Sequence, residues 1–215
     1  MSTINQDLPY LRRIADRESP AAILSEPKFL EAQKLFFSVV KDLGGTVDFD
    51  IADMREVHAI AALGDVRGKH VLDIGCGSAE PYVLSDTFRD RYPPFFAEMM
   101  TKLGANVTGI DSRKNPSATY DHKVIDLTKK NWRKSLDPPY DIIACFNLFN
   151  APESPFEQDT NLCDRIMDDM HALLAPTGLL IVTLRDETVD PKAYVESKKF
   201  TLLHLDSNCA WASPR

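Results

Sequence analysis

The stretch "KHVLDIGCGSAEPY", residues 69–82, constrains the fold of this chain more than any other. An apolar run through Val71 and Leu72 reaches a carboxylate at Asp73 and breaks at Gly75 and Gly77, which flank Cys76. A short apolar run of this kind reads as a buried strand. Glycines at its end let the backbone approach a ligand that a Cβ would hold away. In an open α/β sheet, ligands collect at the carboxyl ends of the strands, near the switch in strand order. The stretch therefore places a nucleotide-sized ligand at the end of a first strand.

The rest of the chain supplies the alternation that such a sheet needs. After "HVLDIG" (70–75), strands are read at "NVTGID" (106–111), "HKVIDL" (122–127), the start of "YDIIACFNLF" (140–149) and "GLLIVTL" (178–184). Between them, "PPFFAEMMTKLG" (93–104) reads as a helix with Pro93 and Pro94 in its first turn, and "TNLCDRIMDDMHALL" (160–174) is amphipathic. A short helix is expected over 191–199, and "FTLLHLD" turning through "SN" into "CAWAS" reads as a terminal hairpin. Strands alternating with helices imply a parallel sheet covered on both faces, a three-layer α/β domain over residues 66–215. Residues 1–65 read as a helical N-terminal extension. Amphipathic stretches lie at 29–43 and 50–63, and an initial helix ends near Ser19-Pro20.

The charge balance narrows the partners. The chain carries 32 acidic against 25 basic residues, a net charge of −7, a poor match to nucleic acid, which needs clustered Lys and Arg. The basic stretch "KKNWRK" (129–134) reads as a solvated face. No segment reaches the ~20 apolar residues of a membrane span, and "MSTINQDLPYLRR" lacks an apolar signal core. Cys76, Cys145, Cys163 and Cys209 form no CxxC pair, and the five histidines are scattered, so no metal site is expected. The expectation is a cytoplasmic protein with reduced thiols, bound neither to membrane nor to nucleic acid, with no signature of an oligomeric state.

Three nucleotides compete for the glycine turn. A P-loop needs GxxxxGK[ST], and no such lysine follows. A dinucleotide site needs a third glycine and a helix end open to pyrophosphate, and here that position is Glu80, whose carboxylate repels the phosphates. S-adenosylmethionine carries a sulfonium and an ammonium and has no phosphate, so carboxylates around the turn favour it. Asp73 suits the ammonium. Asp111, ending "NVTGID", presents two acceptor oxygens to a ribose diol, and Asp126, ending "HKVIDL", suits the adenine amino group. One such carboxylate is equally a helix cap or turn residue; three at successive strand ends after a GxG turn carry the reading.

The segments "VLDIGCGSAEP", "LGANVTGID", "VIDL", "YDIIACFNLF" and "LLAPTGLLIVTL", in that order, resemble the class I S-adenosylmethionine-dependent methyltransferases. The resemblance covers roughly residues 65–215. It implies a Rossmann-like sheet of about seven strands whose last strand is antiparallel, inserted by the terminal hairpin. It also implies contacts to S-adenosyl-L-methionine at Asp73, Gly75, Cys76, Gly77, Asp111, Ser112, Asp126, Leu127 and Asn147. The chain departs from the family pattern in two places. Ala79 stands where a third glycine is usual, and "YVLSDTFRDRYPP" (82–94) is inserted before the following helix, as a lid or substrate loop.

For the acceptor, a small molecule is expected. No [DNS]-PP-[YFW] motif follows the fourth strand: Asn147-Leu148-Phe149 stands there, which argues against methylation of base or glutamine amides. His58, His122, His171 and His204 all read as packing or surface residues, so no catalytic base is assigned. Tyr10 and Tyr82 are candidates for lining a substrate pocket, and Cys76 and Cys145 read as compact fillers rather than nucleophiles. The rival reading is a protein that keeps the fold and binds the cofactor without methylating.

Overall fold

Seven strands hydrogen-bond into one mixed sheet in the computed structural model, in the order β5-β4-β1-β6-β7-β9-β8. The structure describes residue 10 and residues 25–44, 55–78, 82–83, 89–90, 93–150, 155–185, 188, 190–206 and 209–215. In chain order the helices α1 (Pro27–Asp42) and α2 (Arg55–Ala62) precede β1 (His70–Ile74). A two-residue hairpin of β2 (Tyr82–Val83) and β3 (Arg89–Asp90) follows, then α3 (Phe95–Lys102), β4 (Asn106–Asp111) and β5 (Asp121–Val124). β6 (Tyr140–Cys145), α4 (Pro155–Gln158), α5 (Thr160–Leu173), β7 (Leu174–Thr183), α6 (Pro191–Ser197), β8 (Phe200–Asp206) and β9 (Cys209–Pro214) complete the chain.

β1 lies at the centre, parallel to β4 on one side and β6 on the other. The order reverses there, which sets the switch point at the end of β1. β9 runs antiparallel between β7 and β8, the inserted last strand that the family resemblance implies. Both faces are covered, and the two-residue period of the strands divides the core. Val71, Val107, Ile142, Ala144, Leu179 and Ile181 face α1, α2 and α3. Leu72, Ile74, Ile110, Ile143, Leu180 and Val182 face α5, α6 and the 3-10 turn Trp132–Ser135. Such near-continuous apolar strands are what burial on both faces demands.

Boundaries moved where local geometry outweighed the apolar pattern. The third strand, expected over 122–127, pairs only over 121–124, and its last rung is Ile125 N–H donating to Asp111 O at 2.8 Å. An edge strand keeps one neighbour only, so it is released early. Pro94 is the N-cap of α3 rather than part of its first turn, a position where the missing N–H costs nothing. β7 begins at Leu174, directly after α5, four residues before the expected Gly178. The reading of 129–134 as a solvated face is corrected at Trp132. That side chain is buried beneath the sheet and donates Nε1–H to Asp169 Oδ2 at 2.7 Å, because a basic stretch can still fold its one indole inward. The expected first helix, residues 50–54 and most of 82–94 lie outside the described residues. Among the described residues no helix is long and apolar enough to cross a membrane.

The described N-terminal helices share a core with the sheet. Phe36 of α1 is fully buried and meets Phe95 of α3 edge-to-face, with ring centroids 4.8 Å apart. Truncating such a ring removes its transfer free energy and leaves a cavity. Phe36→Ala is expected to lower unfolding free energy by about 3–5 kcal/mol, measured by urea denaturation followed by circular dichroism.

Candidate functional site

The turn after β1 bends back because two glycines take left-handed φ values, +69° at Gly75 and +86° at Gly77. The Gly75 and Cys76 N–H groups both donate to Ile110 O, at 2.9 and 3.0 Å, and lock the turn onto β4. A Cβ on Gly75 would stand 3.1 Å from Leu148 Cδ1, so the turn also packs against the segment after β6. Asp111, at the end of β4, is buried, and its Oδ2 accepts the Gly77 N–H at 3.1 Å. Its Oδ1 accepts the Arg113 backbone N–H at 2.9 Å and the Arg113 Nε–H at 3.0 Å. Ser78 Oγ donates to Lys114 O at 2.6 Å and closes the same loop.

Behind the turn stands a second set of contacts that sequence reasoning did not find. His122 Nε2–H donates to Arg113 O at 2.9 Å, which leaves Nδ1 as the acceptor in the neutral ring. Nδ1 lies 3.7 Å from Cys76 Sγ, and Tyr120 OH lies 3.6 Å from the same sulfur. Asn115 Nδ2 donates to Tyr120 OH at 3.2 Å. Burial pushes the Cys76 thiol well above its ordinary range, with the Asp73 charge adding to the effect. Cys76 is thus a protonated packing group that orients the turn, as its reading as a filler expected, and His122 props the turn from beneath.

Asp73 is 3% exposed at the end of β1. Its carboxyl faces the Ala97 N–H in the first turn of α3, while the Pro94 cap of that helix takes no side-chain hydrogen bond. Burial raises its pKa to about 8, and the negative charge of Glu56 and then that of Asp111 push the same way against the Ala97 bond. Glu56, half-buried in the first turn of α2, is also raised, by burial first, with its own backbone N–H and the Arg55 charge opposing. Arg55 Nη1 donates to Asn147 Oδ1 at 2.6 Å. Asn147 lies two residues past the end of β6 with φ +55°, a conformation asparagine tolerates. The N-terminal extension therefore delivers one guanidinium and one carboxylate to the ends of β1 and β6. A charged pair opening a helix 15 residues before β1 is ordinary in sequence, and only the packing of α2 gives it a place.

The other expected residues divide. Asp126 is exposed, and its Oδ1 accepts from Thr128 N at 2.9 Å and Thr128 Oγ1 at 2.6 Å. The Thr128 hydroxyl is the first cause that lowers its pKa. Leu127 is buried in the core beside Trp132, and its carbonyl accepts Arg165 Nη2–H at 2.9 Å. Ser112 is exposed at the rim of the Asp111 loop. His58 accepts from or donates to Tyr10 OH at 3.0 Å through Nδ1, and its ring packs 5.0 Å from that of Phe29. Tyr10 is fully buried in that contact. The side chain of Tyr82 lies outside the described residues. All four cysteines are unbridged and buried, and among the described residues no cluster suits a metal ion.

The electrostatics favour one kind of ligand. Asp73 and Asp111 are buried with Glu56 half-buried beside them, and burial makes the charges of Asp73 and Glu56 costly. A cation entering there lowers that cost; a pyrophosphate raises it. The donor set therefore fits a sulfonium–ammonium nucleoside, with Asp111 matched to a ribose diol. Since the Asp73 pKa is raised, its protonated form is favoured in the folded chain. Its contribution to stability is full below the unfolded value near ~4 and is lost as pH rises through about 8. The melting temperature of the ligand-free protein is expected to fall across that window, and Asp73→Asn to flatten the slope. Binding of S-adenosylmethionine is expected to release a proton near neutral pH and to tighten toward pH 8; calorimetry in buffers of different ionisation enthalpy checks both.

Comparison with known proteins gives the family. Residues 50–212 match the family model described as a methyltransferase domain. Ubiquinone biosynthesis O-methyltransferase of Actinobacillus pleuropneumoniae serotype 7 (strain AP76) is 27% identical over 141 residues, 60% of this chain and 50% of the relative. The protein of the same name from Pseudomonas aeruginosa (strain UCBPP-PA14) is 24% identical over 155 residues, 68% of this chain and 56% of the relative. The chain thus spans about half the length of the curated relatives it matches. Among solved structures, a TehB-like SAM-dependent methyltransferase from Corynebacterium glutamicum is similar with a TM-score of 0.49 and 15% identity, over 88% of this chain and all of the other (100%). Magnesium protoporphyrin IX methyltransferase from Synechocystis, with bound SAM, has a TM-score of 0.47 and 16% identity over 86% of this chain and 80% of the other.

Proposed function

The chain belongs to the S-adenosylmethionine-dependent methyltransferase family, and from that premise we propose that it transfers the cofactor's methyl group to a small-molecule acceptor. The observation that carries the reading is the set of three carboxylates, buried Asp73 and Asp111 with half-buried Glu56, around a glycine turn at the switch point. When bound, S-adenosylmethionine supplies an electrophilic methyl carbon, to which the acceptor's lone pair bonds as the C–S bond breaks and its electrons return to sulfur.

The residues of this chain bind and orient. Asp111 would hold the ribose hydroxyls, with its Oδ1 exchanging the Arg113 Nε–H for a hydroxyl. Asp73 and Glu56 would face the ammonium, and Arg55 with Asn147 would flank the carboxylate end. Gly75, Cys76 and Gly77 supply the close backbone, and Ser112, Asp126 and Leu127 the adenine side. In-line displacement needs the reacting atoms held at near-attack distance with water excluded. α1 and α2 serve that need by closing one face over the strand ends. In this reading residues 1–65 form the helical cover and residues 66–215 the cofactor domain. The net charge of −7 supports a small acceptor over nucleic acid, and four unbridged cysteines support a reducing, cytoplasmic setting.

Calorimetry is expected to show binding of S-adenosylmethionine and S-adenosylhomocysteine. Asp111→Ala is expected to weaken both by about 1–3 kcal/mol as the hydroxyls lose their acceptor. With methyl-labelled cofactor and a fractionated cell extract, label is expected in a small molecule by mass spectrometry. Label confined to RNA or protein would remove the acceptor class, and absence of cofactor binding would remove the whole reading.

A further inference from the structure

A cavity of about 310 Å³ opens on the α5 face, beyond the ends of β6 and β7. Its floor is apolar, from Phe149 and Cys163. Leu148 packs against Gly75 while the next residue, Phe149, lines this cavity, so one 3-10 turn, Leu148–Asn150, separates it from the glycine turn.

The cavity carries both signs of charge. Arg185, just past β7, donates Nη1–H to Phe156 O at 3.2 Å, which orients its guanidinium along the wall. Asp164 of α5 also lines it, with Oδ1 accepting Tyr194 OH at 3.0 Å and facing Lys198 Nζ at 3.4 Å. Asp190 caps α6 through Oδ1, which accepts the Ala193 N–H at 2.9 Å. Carboxylates from two helices and a guanidinium from a third element thus border one small, apolar-floored space.

We propose that this cavity binds a small zwitterion, an amino acid or amine-bearing acid, as the methyl acceptor, with Arg185 taking its carboxylate, Asp164 and Asp190 its ammonium, and Phe149 its apolar body. The acceptor role rests on the methyltransferase reading; the recognition does not. A purely anionic ligand would face two carboxylates, and a purely cationic one the guanidinium, whereas a zwitterion pairs with both. The volume sits at the low end of small-molecule sites and suits a single amino acid.

The test uses three matched probes, L-phenylalanine, phenethylamine and 3-phenylpropanoate, titrated calorimetrically into the full chain with and without S-adenosylhomocysteine. Phenylalanine is expected to bind about tenfold tighter than either singly charged relative, one charge pair being worth about that factor. Arg185→Met is expected to abolish the advantage of phenylalanine over phenethylamine, and Asp164→Asn its advantage over phenylpropanoate, with S-adenosylhomocysteine affinity unchanged. Should a variant fail to fold, the comparison of the three probes on the unaltered chain decides alone. Equal affinity for all three, or no binding by a chain that does bind S-adenosylhomocysteine, overturns the proposal. Phenylalanine preference without cofactor binding keeps the zwitterion site and overturns the methyltransferase reading instead.

Discussion

The carboxylate of Asp111 ties together the two loops on which the cofactor end of the molecule depends. One oxygen accepts from Gly77 in the turn after β1, and the other accepts twice from Arg113 in the loop after β4. Each bond to an ionised acceptor is shorter and stronger than a neutral one. Gly77 itself takes a left-handed φ of +86°, which glycine adopts without the Cβ penalty of other residues. The same carboxylate is the one proposed to hold the ribose hydroxyls.

Around that tie the structure gathers carboxylates: Arg113 pairs with Asp111, the Arg55 charge opposes that of Glu56, and burial favours the protonated form of Asp73. Asp73 keeps a proton well above the ordinary carboxylate range because burial and Glu56 both oppose its ionisation. A core this apolar on both sheet faces carries such a cost, since the stability of a domain is a small difference between large terms. The cost makes chemical sense as preparation for a cation. Desolvated carboxylates discriminate between ligands by charge far more sharply than solvated ones. The cavity by Arg185 and Asp164 opens across the Leu148–Asn150 turn from the glycine turn and mixes its charges instead of stacking one sign.

Much of this was legible beforehand. The strand–glycine–strand rhythm, the inserted terminal hairpin and the glycine turn at Gly75 and Gly77 follow from patterns that local sequence carries. Asp126 shows where pattern reading stops. It was expected at the end of a strand over 122–127, yet the strand stops at Val124 and the side chain bonds to Thr128 in its own turn. Aspartate satisfies a nearby N–H as readily as a distant ligand, and spacing alone does not distinguish the two. Trp132 shows the opposite limit, a core anchor hidden inside a basic run.

By itself, the sequence determined the alternation of strands and helices, the switch point at the end of β1 and the charge class of the ligand beside it. These depend on periodicity, on glycine at two positions and on carboxylates at strand ends, all local properties. Only the tertiary structure decided that Arg55 and Glu56 reach the site from a helix that precedes it, and that Tyr120 and His122 buttress Cys76. It also gathered Arg185, Asp164 and Asp190 around one cavity. Those groupings join residues far apart in the chain, and their positions follow from how helices pack on a twisted sheet, which no local pattern encodes.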